Sequence, residues 1–141
     1  MDLSAFLAEN AQPVEKVEYV VSTRFRDTEG NPVPWTVRTI SSEEDEKLRK
    51  ACRKRVPVPG KKNQYTTETD YDQYLGKLLV ACTVEPNLNA AELQDSYHVM
   101  GAENLLKAML TAGEYANYAE KVQEVCGFDV SLQDEVDEAK N

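Results

Sequence analysis

The chain has 141 residues, a length suited to one domain, and its 41% hydrophobic and 29% charged residues make a globular composition rather than a disordered one. A formal net charge of -9 and a pI near 4.7 argue against a general nucleic-acid binder, which needs a basic face for phosphates. Three widely spaced cysteines, Cys52, Cys82 and Cys126, give neither a disulfide framework nor a CxxC metal knuckle.

The opening MDLSAFLAEN lacks the basic n-region and long apolar run of a signal peptide, and no stretch approaches the roughly 20 apolar residues of a membrane span. This pattern, with reduced thiols, points to the cytoplasm. Residues 2–9 suit a short helix with Asp2 or Ser4 near its start and Leu3, Phe6 and Leu7 on one side. KVEYVVSTRF (16–25) alternates as a strand, with Val17, Tyr19, Val21, Thr23 and Phe25 on one face. DTEGNP (27–32) is turn chemistry, and PWTVRTI (34–40) is the returning strand of a β-hairpin with Trp35 as its core anchor.

Ser41 and Glu44 fit a capping box opening a helix that runs to about Arg55, where Pro57 forbids continuation. VPVPGKKNQY (56–65) reads as a connecting loop. Thr67 or Thr69 caps the next helix, about 68–83, whose stripe is Tyr71, Tyr74 or Leu75, Leu78, Leu79 and Cys82. Asn89 caps a third helix, Gly101 breaks it, and 102–110 resumes with Leu105, Leu106, Met109 and Leu110. Gly113 permits another bend. Residues 114–127 continue with Tyr115, Tyr118, Ala119, Val122 and Val125 inward, and Gly127 is a C′ cap. Ser131 starts a last short helix. The fold class is α+β in a single domain, 1–141. An N-terminal helix and β-hairpin (1–46) pack on a mainly α-helical C-terminal region (63–141) of about five short helices.

Catalytic and metal motifs fail on inspection. PGKK lacks the first glycine and the Ser/Thr of a phosphate loop, since Arg55 and Lys62 stand there. DYDQYLG (70–76) begins like a calcium loop but has Leu75 and Ala81 where Gly and Glu are required. His98 is the single histidine, so zinc pairs and a catalytic triad have no members. The residues offer no cofactor site, no metal site and no enzyme; they describe a binding or assembly protein.

Charge is unevenly spread. Residues 1–46 carry -6, residues 47–62 carry +8 with no acid, and residues 63–141 carry -11. Arg53, Lys54 and Arg55 sit at the centre of this island. The first reading is a helix end with cations favoured by the dipole, followed by a solvated loop. The second is contact with an acidic protein surface, including another copy of this chain. The third is a nucleic-acid-associated regulator using residues 49–62, working against the field of the whole chain.

Three stretches, WTVRTISSEEDEKLRKACRKRVPVPGK (35–61), DYDQYLGKLLVACTVEPNLNAAELQDSYHVMGAENLLKAML (70–110) and GEYANYAEKVQEVCGFD (113–129), follow one another in an order that resembles the XkdN-like tail assembly chaperones of phages and defective prophages of Gram-positive bacteria. The pattern departs at His98, where the family more usually has glycine, so the local turn there is expected to differ. The resemblance implies a role in virion morphogenesis. It implies non-covalent binding to the tape measure protein, which is held soluble until tail tube subunits polymerise. It further implies action in the host cytoplasm and absence from the mature virion. Tail tube protein and self-association are the further partners; nucleic acid and membrane are not. Within that role the partner surface is expected on the C-terminal helices around Leu105, Met109, Tyr115 and Tyr118, or at a hairpin edge, with Arg53, Lys54 and Arg55 as a second contact.

Overall fold

The period-2 pattern around Val17 and Trp35 folds as an antiparallel pair, and helices follow it, as the α+β reading expects. The computed structural model describes residues 1–128; the helix expected from Ser131 lies outside them. In chain order the elements are a 3-10 turn (Ser4–Phe6), β1 (Val17–Tyr19), β2 (Trp35–Val37), α1 (Ser42–Ala51), β3 (Arg53–Pro57), β4 (Tyr65–Thr69), α2 (Tyr71–Cys82), β5 (Thr83–Glu85), α3 (Ala91–Ser96), α4 (Ala102–Met109) and α5 (Ala112–Val125).

β1 and β2 pair through Val17–Val37, Glu18–Thr36 and Tyr19–Trp35. The ladder is much shorter than the expected strands 16–25 and 34–40. Val21 and Ser22 turn inward and are buried, and the Ser22 hydroxyl accepts the Arg24 N–H at 3.1 Å, which breaks the strand. The expected turn forms beyond this break. Asp27 Oδ1 accepts the N–H groups of Glu29 and Asn31 at 2.9 Å each, and Gly30 takes a φ of 85°. A third strand was not legible: β5 adds to β2 through Thr36–Glu85 and Val37–Thr83, giving the order β1-β2-β5. Three residues are too few to show alternation. Thus the N-terminal hairpin is not alone, and β5 ties it to the end of α2.

The largest departure is at the basic island. The helix expected to reach Arg55 stops at Ala51 with Cys52 as its cap, and Arg53, Lys54 and Arg55 lie on β3. β3 pairs with β4, YTTET, along Arg53–Thr69, Lys54–Glu68, Arg55–Thr67, Val56–Thr66 and Pro57–Tyr65. Val56 and the threonines favour extended backbone, and Pro57 pushes the residue before it the same way. The stretch read as a loop, 56–65, is therefore the connection of a second hairpin, with Val56, Pro57 and Tyr65 at the ends of its strands. Helix α2 starts later than expected and is capped by Asp70, which accepts the Gln73 N–H at 3.3 Å, rather than by Thr67 or Thr69.

Other helix ends follow standard capping. Ser41 accepts the Glu44 N–H at 3.2 Å, but the Glu44 carboxylate turns to Arg38 at 3.1 Å, so the box there is half formed. The complete box is at Thr111 and Glu114, where α5 begins; Gly113 sits inside its first turn and makes no bend. Ala90, not Asn89, is the N-cap of α3 and has no side-chain bond. Gly127 is the C′ residue of a Schellman motif at the end of α5, with Phe128 N–H donating to the Gln123 carbonyl at 3.0 Å.

The core is where the helical stripes meet the three-stranded sheet. Tyr74, Leu78, Leu79 and Cys82 of α2 are buried with Leu105, Leu106 and Met109 of α4 and Tyr118, Ala119 and Val122 of α5. Tyr71 lies outside this stripe and is exposed. Trp35 and Val37 enter from β2.

Candidate functional site

The β3–β4 hairpin is the strongest charged feature of the surface. No residue of either strand is buried. Alternation puts Arg53 and Arg55 on one face with Tyr65, Thr67 and Thr69, and Lys54 on the other face with Glu68. The Arg55 guanidinium lies 3.9 Å from the Tyr65 ring centroid, a cation–π contact that holds the fork over an exposed aromatic. Lys54 and Glu68 are 3.9 Å apart, both half exposed, and that pair stabilises little. Lys61 and Lys62 extend the positive field into the connection. The hairpin is tied to the body by the Asp70 N–H, which donates to the Cys52 carbonyl at 2.6 Å. Both edges of this two-stranded sheet are unpaired among the described residues. Its guanidinium groups can take carboxylates in bidentate fashion, and its edges can accept an extended segment.

The second feature is a shallow groove of about 390 Å³ between α4 and α5, lined by Lys107, Leu110, Thr111, Ala112 and Tyr115. Of the four residues expected to form the partner surface, only Tyr115 reaches it. Leu105 and Tyr118 are fully buried and Met109 is 5% exposed, so these three face the core and a change there acts first on folding. Burial pushes the Tyr115 phenol up, helped by the negative charges of Glu103 and Asp72. Lys107 and Ala112 escaped the sequence reading, and Leu110 was read only as part of the apolar stripe of 102–110. The signal was the helix break between Met109 and Ala112, which leaves a notch that apolar residues line.

The groove is buttressed from the N-terminal part. Arg24 donates to the Met109 carbonyl at 2.8 Å and meets Glu114 Oε1 at 2.5 Å. That guanidinium, with Ser22 and the Thr111 N–H, lowers the Glu114 carboxyl to about 2. Asp70, Asp72 and His98 do not converge. Asp70 is spent on the α2 cap, Asp72 is exposed on α2, and His98 is exposed in the turn after α3. Among the described residues no group of three or more His, Cys, Asp or Glu could hold a metal ion, and no helix is long and apolar enough to cross a membrane.

Comparison with known proteins decides the family: residues 3–140 match the phage XkdN-like tail assembly chaperone protein family, TAC. The chain belongs to the XkdN-like tail assembly chaperones. Two relatives of this family member come from Bacillus subtilis (strain 168). The chain is 36% identical to the uncharacterized protein YqbN over 141 residues, spanning 99% of this chain and 93% of YqbN. It is 28% identical to the phage-like element PBSX protein XkdN, spanning 99% and 94%. The crystal structure of YqbN matches with a TM-score of 0.78 at 33% identity, covering 92% of this chain and 98% of that one. The α+β fold is therefore shared with a solved relative. The family is one of chaperones rather than enzymes, and its role implies protein partners in tail assembly.

Proposed function

We propose that this tail assembly chaperone binds the tape measure protein non-covalently and keeps it soluble until tail tube subunits displace it. It does so in the host cytoplasm and is left out of the finished particle. The observation that carries this reading is the family match across residues 3–140. A long helical client with one apolar side aggregates when alone, and an open groove floored by Leu110 and Tyr115 suits an amphipathic helix. The net charge of -9 favours solubility of the complex. The β3–β4 hairpin, with Arg53, Lys54 and Arg55, is assigned to acidic side chains of the client or of a tube subunit.

Co-expression with the tape measure protein tests the reading. Soluble client should rise and co-purify with the chaperone. A client that stays insoluble and shows no co-purification overturns it. Lys107→Glu, a change at an exposed groove position, separates the groove from the fold: binding should fall while circular dichroism stays unchanged. The basic hairpin also admits a nucleic-acid partner, and a titration with DNA and RNA at low and moderate salt tests it: absence of any salt-dependent binding to either removes that reading.

A further inference from the structure

Cys82 ends α2 and Cys126 caps α5, 44 residues apart in sequence, and their sulfurs lie 3.6 Å apart. Cys82 is buried, whereas Cys126 is partly exposed. The two share a sulfur–sulfur hydrogen bond. The Thr39 hydroxyl and the Ile40 backbone also approach Cys126, so the negative form is best held there. The Cys82 thiol is pushed up, first by its bond to Cys126 and then by burial. The charged and titratable groups around the pair are Arg38 and Glu44 near Cys82 and Asp45 and Tyr74 near Cys126. Cys52, by contrast, is fully buried, and burial raises its thiol.

We propose that Cys82 and Cys126 form an oxidation site that closes to a disulfide with a peroxide as the oxidant. The partly exposed Cys126 thiolate attacks one peroxide oxygen, the O–O bond breaks, and hydroxide leaves and takes a proton to become water. Cys126 is now a sulfenic acid. The Cys82 sulfur attacks it, the S–O bond breaks, the Cys82 proton leaves with the hydroxyl as a second water, and the S–S bond forms. Two thiols lose two electrons and the peroxide gains them. The sulfurs need to close by somewhat under about 2 Å to reach bonding distance. The bond joins the C-terminal ends of α2 and α5, at the far end of α5 from the groove, so oxidation ties these two core helices together.

The test uses the full chain and hydrogen peroxide near neutral pH. Intact mass should fall by two hydrogens, and peptide mapping should recover Cys82 linked to Cys126. The melting temperature should rise by roughly 10 °C, the size expected when a loop of this length is closed. Cys52→Ala should behave like the parent. Cys82→Ser should leave a sulfenic acid on Cys126 that dimedone traps. If peroxide produces no linked peptide in Cys52→Ala, or modifies Cys52 in preference to Cys126, or links only separate molecules, the proposal falls.

Discussion

Tyr118 meets Trp35 edge to face, with ring centroids 5.3 Å apart and planes at 77°. The same ring stacks on Tyr19 at 6.2 Å, so one residue of α5 takes both N-terminal strands. Its hydroxyl lies 2.6 Å from Thr83 Oγ1, and that hydroxyl donates to the Leu79 carbonyl at 2.7 Å. The phenol therefore donates to Thr83, and burial raises it to about 12. Removing the hydroxyl alone, Tyr118→Phe, should cost about 1 kcal/mol. Tyr118→Ala should cost about 3–5 kcal/mol by emptying the seam between sheet and helices. Urea unfolding of the two variants measures the difference; equal midpoints would show that the ring packing is unimportant.

His98 has a φ of 57° and occupies the C′ position after α3. Val99 N–H donates to the Gln94 carbonyl and His98 N–H to the Asp95 carbonyl, both at 3.1 Å, the Schellman pattern in which glycine is favoured. The sequence comparison expected a different local turn where histidine replaces glycine. The turn is the one glycine would make, held with strain. His98→Gly should stabilise by about 0.5–1 kcal/mol, while His98→Ala keeps the Cβ and should not. Thermal melts of the two variants separate the cases.

The Arg24–Glu114 pair sets an acid response. Glu114 has a folded value of about 2 against an ordinary carboxyl near 4.5, so it is depressed by folding. Its contribution is complete above the ordinary value and is lost as pH falls toward the folded one. Glu114→Gln keeps a side chain fit for the capping box but loses the charge. Its stability should fall less steeply than the parent's between about pH 4.5 and 2. The pair is solvent-exposed on the arginine side, so the difference will be small and will shrink in salt. Parallel slopes for the two proteins would dismiss the pair as a source of acid sensitivity.

Arg53→Glu with Arg55→Glu should leave the fold nearly as stable as before, since both side chains are exposed. The same double change should weaken capture of the tape measure protein, and the parent's affinity should fall as salt rises. Pull-downs across a salt series measure both. Unchanged capture by the variant would make the hairpin's cations bystanders.

Helix positions in the C-terminal half were legible because Leu105, Leu106 and Met109 repeat at helical spacing. Trp35 was legible as a core residue because it alternates in a strand. The basic hairpin was not. Cations after a helix satisfy the dipole rule as readily as they line a strand, and the partner strand that decides between them lies eight residues beyond Pro57. β5 was too short to carry a period. Tyr118 and Met109 looked like contact residues because such side chains serve interfaces and cores alike. The sheet residues Tyr19 and Trp35 that cover Tyr118 could not be placed against it from local sequence.

The open edges of the β3–β4 hairpin carry a consequence for crowding. If several chaperones line one client, identical hairpins come close together. Arg53, Lys54 and Arg55 on one copy repel those on the next, and Pro57 offers no N–H for edge-to-edge pairing. The hairpin that invites an acidic stranger thus turns away its own kind, and neighbours can crowd along a client without zipping into a fibre.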